Sequence, residues 1–342
     1  MPSTYLVTGG AGFIGSHVVA ALLARGDQVT VLDDLSTGRT GNLDLVIGHP
    51  GFRFVQGSVL DEITMDELAR EHANVVHLAA AVGVKLIIER GLRSFRSNIR
   101  GTEIVLDAVR RHGAKVLIAS TSEIYGRNDA DALREDSDRI LGSPAVARWA
   151  YSTSKAVGEV LAHAYHKEMG VPVVIVRLFN TVGPKQSPAY GMVIPNFVRQ
   201  ALAGEPLTVY GTGEQRRCFC HVLDTVDALV RLLDTPGAVG ETFNVGRSEE
   251  ITILRLAQRV LGATGSDSGI VFVPYEEAYE AGFEDMMRRV PATSKLRGLT
   301  GWRPTRTLDD ILRDAVASAA AERVPAGSSP LVAPGGPGFV GP

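Results

Sequence analysis

Short apolar runs and amphipathic segments alternate through the first half of the chain. The runs TYLVTG, QVTVLDD, FRFVQG, NVVHLAA, KVLIAS and PVVIVRLFN are rich in β-branched residues and leucine, as strands buried on both faces of a sheet are. Between them, apolar positions recur at helical spacing in HVVAALLARG and over residues 66–71, 99–111 and 150–168. Each of these helices falls where a right-handed crossover between parallel strands needs one. The pattern therefore predicts an α/β fold with a doubly wound parallel sheet.

The rhythm breaks after Asn180. The stretch NTVGPKQSPAYG is punctuated by Pro and Gly; beyond it come a helix over 195–203, the strand-like PLTVYG, a short strand in TFNVG and an amphipathic helix in ITILRLAQRVLG. We read these as a smaller substrate lobe that is discontinuous in sequence. Residues 1–184 form the sheet domain, which the chain revisits near 221–247, and residues 185–220 and 248–321 form the lobe. Residues 325–342, PAGSSPLVAPGGPGFVGP, have little to bury and are expected to be a flexible tail.

Composition narrows the function. A chain of 342 residues, 45% of them hydrophobic, is long enough for one large core and a second lobe. The formal charge of −3 is small and the Lys and Arg residues are scattered, which argues against nucleic acid or an acidic membrane surface as partner and favours small-molecule chemistry. No apolar run approaches a membrane-spanning length, and the N-terminus enters an apolar strand without a basic region or cleavage site, so neither export nor anchoring is expected. Cys218 and Cys220, the only cysteines, are too close in an extended chain to bridge without distortion. A reducing, cytoplasmic setting is the expectation, and no metal is expected.

The segment Thr8-Gly9-Gly10-Ala11-Gly12-Phe13-Ile14-Gly15 follows the first strand and opens the first helix. Lacking Cβ atoms, Gly9, Gly12 and Gly15 permit a tight turn and let a pyrophosphate approach the helix N-terminus, where free N–H groups and the dipole favour anions. Asp33 ends the second predicted strand, placed to accept hydrogen bonds from the adenosine ribose hydroxyls. An acidic group there repels a 2′-phosphate and Asp34 adjoins it, so NAD is expected over NADP, with Arg39 the neighbour that points the other way. His77 is expected to be a packed strand-end histidine.

A second constellation lies downstream. Tyr151 and Lys155, in Tyr151-Ser152-Thr153-Ser154-Lys155, fall one turn apart on one face of a predicted helix. A phenol is a poor base at neutral pH, but a neighbouring ammonium lowers its pKa and lets it take a proton from a substrate hydroxyl. The strand KVLIAS ends in Ser120-Thr121-Ser122-Glu123, delivering hydroxyls and a carboxylate to the C-terminal edge of the sheet, where ligands bind in such folds.

Together these features resemble the extended short-chain dehydrogenase/reductase family, in particular its nucleotide-sugar epimerases, dehydratases and decarboxylases, along the chain to about Ala321. Further matching segments are RLFNTVGP (177–184), PLTVYGTGEQRRCF (206–219), HVLDTVDAL (221–229), FNVG (243–246) and GWRPTRTLDDIL (301–312). The resemblance implies a Rossmann sheet, a tightly held NAD and a UDP-sugar substrate that loses hydride from C4, becomes a 4-keto intermediate and receives hydride back. It assigns Tyr151 as base, Lys155 as its electrostatic partner and Thr121 as hydrogen-bond donor to the sugar O4. Phe13, Ile14, Ser58, Val59, Leu78, Ala79, Ala80 and Asn98 would join the cofactor site. Asn180 would meet the diphosphate, Arg217 a phosphate, Val193 the substrate, and Val209 and Tyr210 would flank the uracil. Arg289 would reach the sugar or its phosphates, the alternative being that Arg288 and Arg289 are a solvated pair of charges.

The residues after Thr121 separate the branches of the family. The 4,6-dehydratases carry Asp-Glu there, and here the first position is Ser122; the 4-epimerases generally have a small or apolar residue where Glu123 stands. Thr121-Ser122-Glu123 resembles the UDP-glucuronic acid decarboxylases. Oxidation at C4 of a glucuronate makes a β-keto acid that can lose carbon dioxide, with Thr121 and Tyr151 stabilising the enolate oxygen. Glu123 and a water would supply the C5 proton, and Ser122 and Arg289 would hold the carboxylate, giving UDP-xylose or, without hydride return, a UDP-4-keto-pentose. A 4-epimerase acting on a UDP-sugar or UDP-uronic acid is the second reading, since the Tyr-Lys-NAD machinery serves both. Lys85 is either a substrate-carboxylate contact or a surface charge, and Ser58 stands where the family usually has an Asp contacting adenine. A homodimer, formed by the helices over 99–111 and 150–168 in a four-helix bundle, is also implied.

Overall fold

The computed structural model describes residues 2–81, 91–146, 149–278 and 286–323; Lys85 and the tail over 325–342 lie outside the described residues. Thirteen strands are found among them: β1 (Thr4–Thr8), β2 (Gln28–Asp33), β3 (Phe52–Gln56), β4 (Asn74–His77), β5 (Lys115–Thr121), β6 (Val173–Leu178), β7 (Thr181–Val182), β8 (Leu207–Tyr210), β9 (Arg216–Cys218), β10 (Cys220–His221), β11 (Thr242–Val245), β12 (Glu250–Thr252) and β13 (Ile270–Val273). Seven of them make one parallel sheet in the order β11-β6-β5-β4-β1-β2-β3. Register is fixed at the centre, where Val7 stands opposite Val31 on one side and Val76 on the other. All six predicted runs are in this sheet, and β1, β2 and β5 are buried almost end to end, because helices cover both faces.

One face is covered by α1 (Phe13–Ala24), whose Val18, Val19, Leu22 and Leu23 are buried. The other is covered by α2 (Glu62–Glu71), α3 (Gly91–His112) and α4 (Ala150–Met169). Asp61 caps α2 by accepting from the N–H groups of Ile63 and Thr64 at 3.1 and 3.2 Å. On α3, Asn98, Thr102, Val105 and Val109 are buried, while Arg100 and Glu103 pair on its exposed face, the separation an amphipathic helix requires. Gly170, at φ 71°, ends α4.

The small lobe packs α5 (Val193–Ala203), α7 (Ile253–Thr264) and α9 (Leu308–Arg323) around Leu207 and Val209 of β8. The chain revisits the sheet domain where expected: α6 (Val222–Asp234) puts Val226, Leu229 and Leu232 into the core under α1, and β11 extends the sheet beside β6. It also returns where the sequence reading placed only lobe. Leu296 of α8 (Ser294–Thr300) and Trp302 belong to the sheet-domain core, and the Trp302 indole donates to the Asp224 carbonyl at 2.9 Å. A short helix with one buried apolar residue reveals that it is buried, but its spacing does not reveal against which core. Cys218 and Cys220 are buried and unbridged. Among the described residues, no helix is long and apolar enough to cross a membrane.

Candidate active site

Because the chain leaves β1 toward β2 and β3 and later returns to β4 on β1's other side, the ends of β1 and β4 part and open a crevice there. A cleft of about 790 Å³ begins at this point and runs to the small lobe. Its first half is backbone. Gly9 has φ 73°, and a Cβ on it would lie 2.7 Å from the Ala79 nitrogen; a Cβ on Gly15 would lie 2.2 Å from the Gly9 carbonyl oxygen. α1 starts at Gly12 with no side chain capping it, so its first N–H groups are turned to the cleft and suit a pyrophosphate. Asp33 accepts from the N–H of Ala11 and of Leu35, each at 2.9 Å. Burial raises its pKa while these two hydrogen bonds pull it back. Each carboxylate oxygen keeps capacity for one more donor, as a ribose hydroxyl requires. Phe13, Ile14, Ser58, Val59, Leu78, Ala79 and Ala80 line the same end. These residues fit a dinucleotide.

Two expectations at this end resolve differently. His77 is a packed histidine, as expected: fully buried, bonded to the hydroxyls of Thr8 at 2.8 Å and Thr102 at 3.3 Å, with its pKa lowered to about 3 by burial. Asn98 is not a cleft residue. It sits behind the wall, where its Oδ1 accepts from the Ala81 N–H at 2.8 Å and its Nδ2 donates to Ser154 Oγ at 3.1 Å. It holds the end of the β4 loop against α4, because a buried amide must satisfy both its donors and its acceptor.

The second half of the cleft is made of side chains. Thr121 ends β5, and its Oγ1 accepts from the Glu123 N–H at 3.2 Å, starting the tight turn over Ser122–Tyr125 that places Ser122 and Glu123 on the cleft wall. Tyr151 and Lys155 come from the first two turns of α4 and line the same wall. The Thr121 hydroxyl is hydrogen-bonded to the Tyr151 phenol. The ammonium of Lys155 donates to the Ala119 carbonyl at 2.8 Å, and burial lowers its pKa to about 8. The Tyr151 phenol is pushed up by burial and by the negative charge of Glu123, and is pulled down by Thr121 and by the Arg289 guanidinium. The Arg289 guanidinium thus acts on the phenol, while the Lys155 ammonium is engaged by a backbone carbonyl.

Arg288 and Arg289, adjacent in sequence, part company. Arg288 bridges Glu250 and Asp131 at the surface. Arg289 is buried, pairs through Nη1 with Glu123 Oε1, and donates from Nη2 to Asn180 Oδ1 at 2.6 Å. Asn180, expected at the diphosphate, lines the cleft with its amide already engaged by Arg289 and by the Cys218 carbonyl, to which Nδ2 donates at 3.0 Å. Arg217 is buried on β9, opens on the cleft and donates from Nη1 to the Arg216 carbonyl at 2.8 Å. Val193, at the start of α5, and Tyr210 also line it. Val209 does not: it is fully buried in the small-lobe core. Side chains alternate along a strand, so Thr208 and Tyr210 of β8 face the cleft and Val209 turns away. Thr208 was legible from that alternation and was missed. Gln215, which lines the cleft and donates to the Tyr210 carbonyl at 3.0 Å, carried no sequence signal.

The profile described as the NAD-dependent epimerase/dehydratase family matches residues 5–246. The chain is 38% identical to the UDP-N-acetyl-alpha-D-glucosaminuronate decarboxylase of Bacillus cytotoxicus, over 92% of this chain and 97% of that protein. It is 36% identical to UDP-glucuronic acid decarboxylase 1 of Danio rerio, over 91% of this chain and 71% of that one. Among solved structures it is similar to the UDP-glucuronic acid 4-epimerase from Bacillus cereus in complex with UDP-glucuronic acid and NAD, with a TM-score of 0.84 and 30% identity, over 93% of this chain and 99% of that chain.

Proposed function

The chain belongs to the NAD-dependent epimerase/dehydratase family, and we propose that it uses NAD to decarboxylate UDP-glucuronic acid through a UDP-4-keto intermediate, yielding UDP-xylose or, where hydride is not returned, UDP-4-keto-pentose. The observation that carries this reading is the Glu123–Arg289 pair beside Tyr151: a carboxylate able to relay a proton and a cation able to hold a substrate carboxylate face each other on the cleft wall, both largely buried. Relatives named as decarboxylases of UDP-uronic acids support it.

Bound NAD supplies hydride removal at sugar C4 and its return. The chain's own residues do the rest. Tyr151 takes the O4 proton, and Thr121, bonded to the phenol, fixes its orientation. With a carbonyl at C4, the C5–C6 bond breaks, carbon dioxide leaves, and the bond's electron pair becomes a C4–C5 enolate whose oxygen Tyr151 and Thr121 stabilise. Arg289 and Ser122 hold the carboxylate before it departs. A substrate carboxylate reaching Arg289 competes with Glu123, which is then freed to take a proton from solvent and pass it to C5, directly or through an ordered water. Arg217 complements the diphosphate charge.

A 4-epimerase is the second reading, supported by the likeness to an epimerase that binds UDP-glucuronic acid. Incubation with UDP-glucuronic acid, and in parallel with its 2-N-acetyl analogue, separates the readings when carbon dioxide and product mass are followed. Loss of carbon dioxide to a UDP-pentose is expected; an isomer of unchanged mass would replace decarboxylation by epimerisation.

The same reading carries a homodimer through α3 and α4, which pack on each other and leave Leu92 and Val160 exposed, in the cytoplasm. Sedimentation at micromolar concentration tests the dimer, a monomer being the contrary result.

A further inference from the structure

Two non-glycine residues have a left-handed backbone among the described residues, Leu35 at φ 58° and Lys185 at φ 70°, and both belong to one feature. Leu35 begins the segment 35–43, which passes beside the glycine-rich loop. The Arg39 N–H and the Asn42 side-chain amide both donate to the Ala11 carbonyl, at 3.0 and 2.8 Å, and Leu35 donates its N–H to Asp33. Lys185 lies in the Pro-punctuated connection to the small lobe. From there its ammonium crosses to the Asn42 carbonyl at 2.6 Å, while its own N–H donates to Ser318 Oγ of α9 at 3.3 Å. Ser36, Thr37, Arg39, Asn42 and Lys185 all line the cleft at the end marked by Asp33. A left-handed lysine is disfavoured unless its surroundings hold it, and what holds this one joins the lobe to the segment beside the loop.

We propose that residues 35–43 form a strap across the adenosine end of the cleft and that Lys185 fastens it, so that Lys185 is a positioning residue for retention of NAD. The bond is charge-assisted, and at a partly buried site such bonds are stronger than neutral ones. Lys185 makes the bond that ties the strap to the lobe side of the cleft; without the ammonium the strap keeps its ties to Ala11 and Asp33 and the packing of Leu43, all on the sheet-domain side. The inference rests on the dinucleotide reading of the cleft and is independent of which sugar is turned over.

The test compares wild type with Lys185→Asn, which tolerates the left-handed backbone but lacks the ammonium, and Lys185→Gly, which also removes the backbone penalty. Nucleotide released by acid after gel filtration is measured by chromatography, with NAD dissociation followed directly by dilution. Both variants are expected to release NAD about tenfold faster, the order expected for one charge-assisted bond, with the melting temperature of the NAD-free protein unchanged and turnover restored by added NAD. Asn42→Ala, which loosens the strap from the Ala11 side, is expected to act in the same direction. NAD retention equal to wild type would overturn the proposal. So would a loss of retention that tracks a fall in the NAD-free melting temperature, because Lys185 would then serve the fold and not the cofactor. Fast NAD release in a protein that never decarboxylates a UDP-uronic acid would uphold the strap while removing the sugar reading.

Discussion

At the cofactor end of the cleft, residues 8–15 meet Ala79 and Asp33 through peptide groups, and the space is set by side chains that are missing: a Cβ at Gly9 or Gly15 would collide with backbone. At the sugar end, Thr121, Glu123, Tyr151, Asn180, Arg217 and Arg289 come from separate segments and meet through side-chain atoms. A backbone site resists almost any enlargement but has one chemical use. A side-chain site can be redirected by one or two substitutions while the fold stands, which is how one scaffold hosts several sugar chemistries.

That contrast is most sharply broken by substitutions that leave one half intact. The largest effect is expected from Tyr151→Phe, which removes the O4 proton acceptor: turnover should fall by about 10²–10⁴-fold with bound NAD unchanged by chromatography, and retained turnover would show that the base lies elsewhere. Glu123→Gln should reduce carbon dioxide formation by about a hundredfold while oxidation at C4 continues, detected as NADH absorbance. This variant also has a pH signature. Because the Glu123 charge raises the Tyr151 pKa, its removal lowers it. The acid limb of C4 oxidation, where the phenolate must form, should therefore move to lower pH; a shift to higher pH would contradict the assigned coupling.

Gly15→Ala attacks the other half. Its added methyl meets the Gly9 carbonyl at 2.2 Å, so α1 must shift, at a cost of about 1–3 kcal/mol in thermal or urea unfolding. NAD content should fall, while UDP binding by calorimetry is retained. Simultaneous loss of UDP binding would show that the halves are not separable. Tyr210→Ala, at the far edge of the cleft, should have the smallest effect: a several-fold rise in KM at unchanged kcat, as loss of uniform binding requires.

The same contrast explains what was legible in the sequence. The parallel sheet and the glycine loop announce themselves locally, through buried β-branched runs and through glycines at positions where only glycine fits. Tyr151 and Lys155 were legible from their one-turn spacing, but the bond of the Lys155 ammonium to the Ala119 carbonyl was not, since it depends on where the fold sets α4 against β5. Asn98 and Val209 were placed in the cleft by resemblance, and the structure turns both away: one is occupied in holding Ala81, the other alternates with Thr208 and Tyr210 into the lobe core. The parting of Arg288 from Arg289 is set by partners distant in sequence, Glu250 and Asp131 for the one and Glu123 for the other, and no local pattern encodes it. The second return to the sheet domain at Leu296 and Trp302 was illegible for the same reason.

The central claim is that Glu123, facing Arg289, turns C4 oxidation into decarboxylation with protonation at C5. The most direct measurement is to turn over UDP-glucuronic acid in deuterium oxide and read the product by mass spectrometry and proton NMR. The account predicts a UDP-pentose lighter by one carbon dioxide and carrying one solvent deuterium at C5. A product of unchanged carbon count with no deuterium at C5 would contradict it and leave hydride removal and return as the whole of the chemistry.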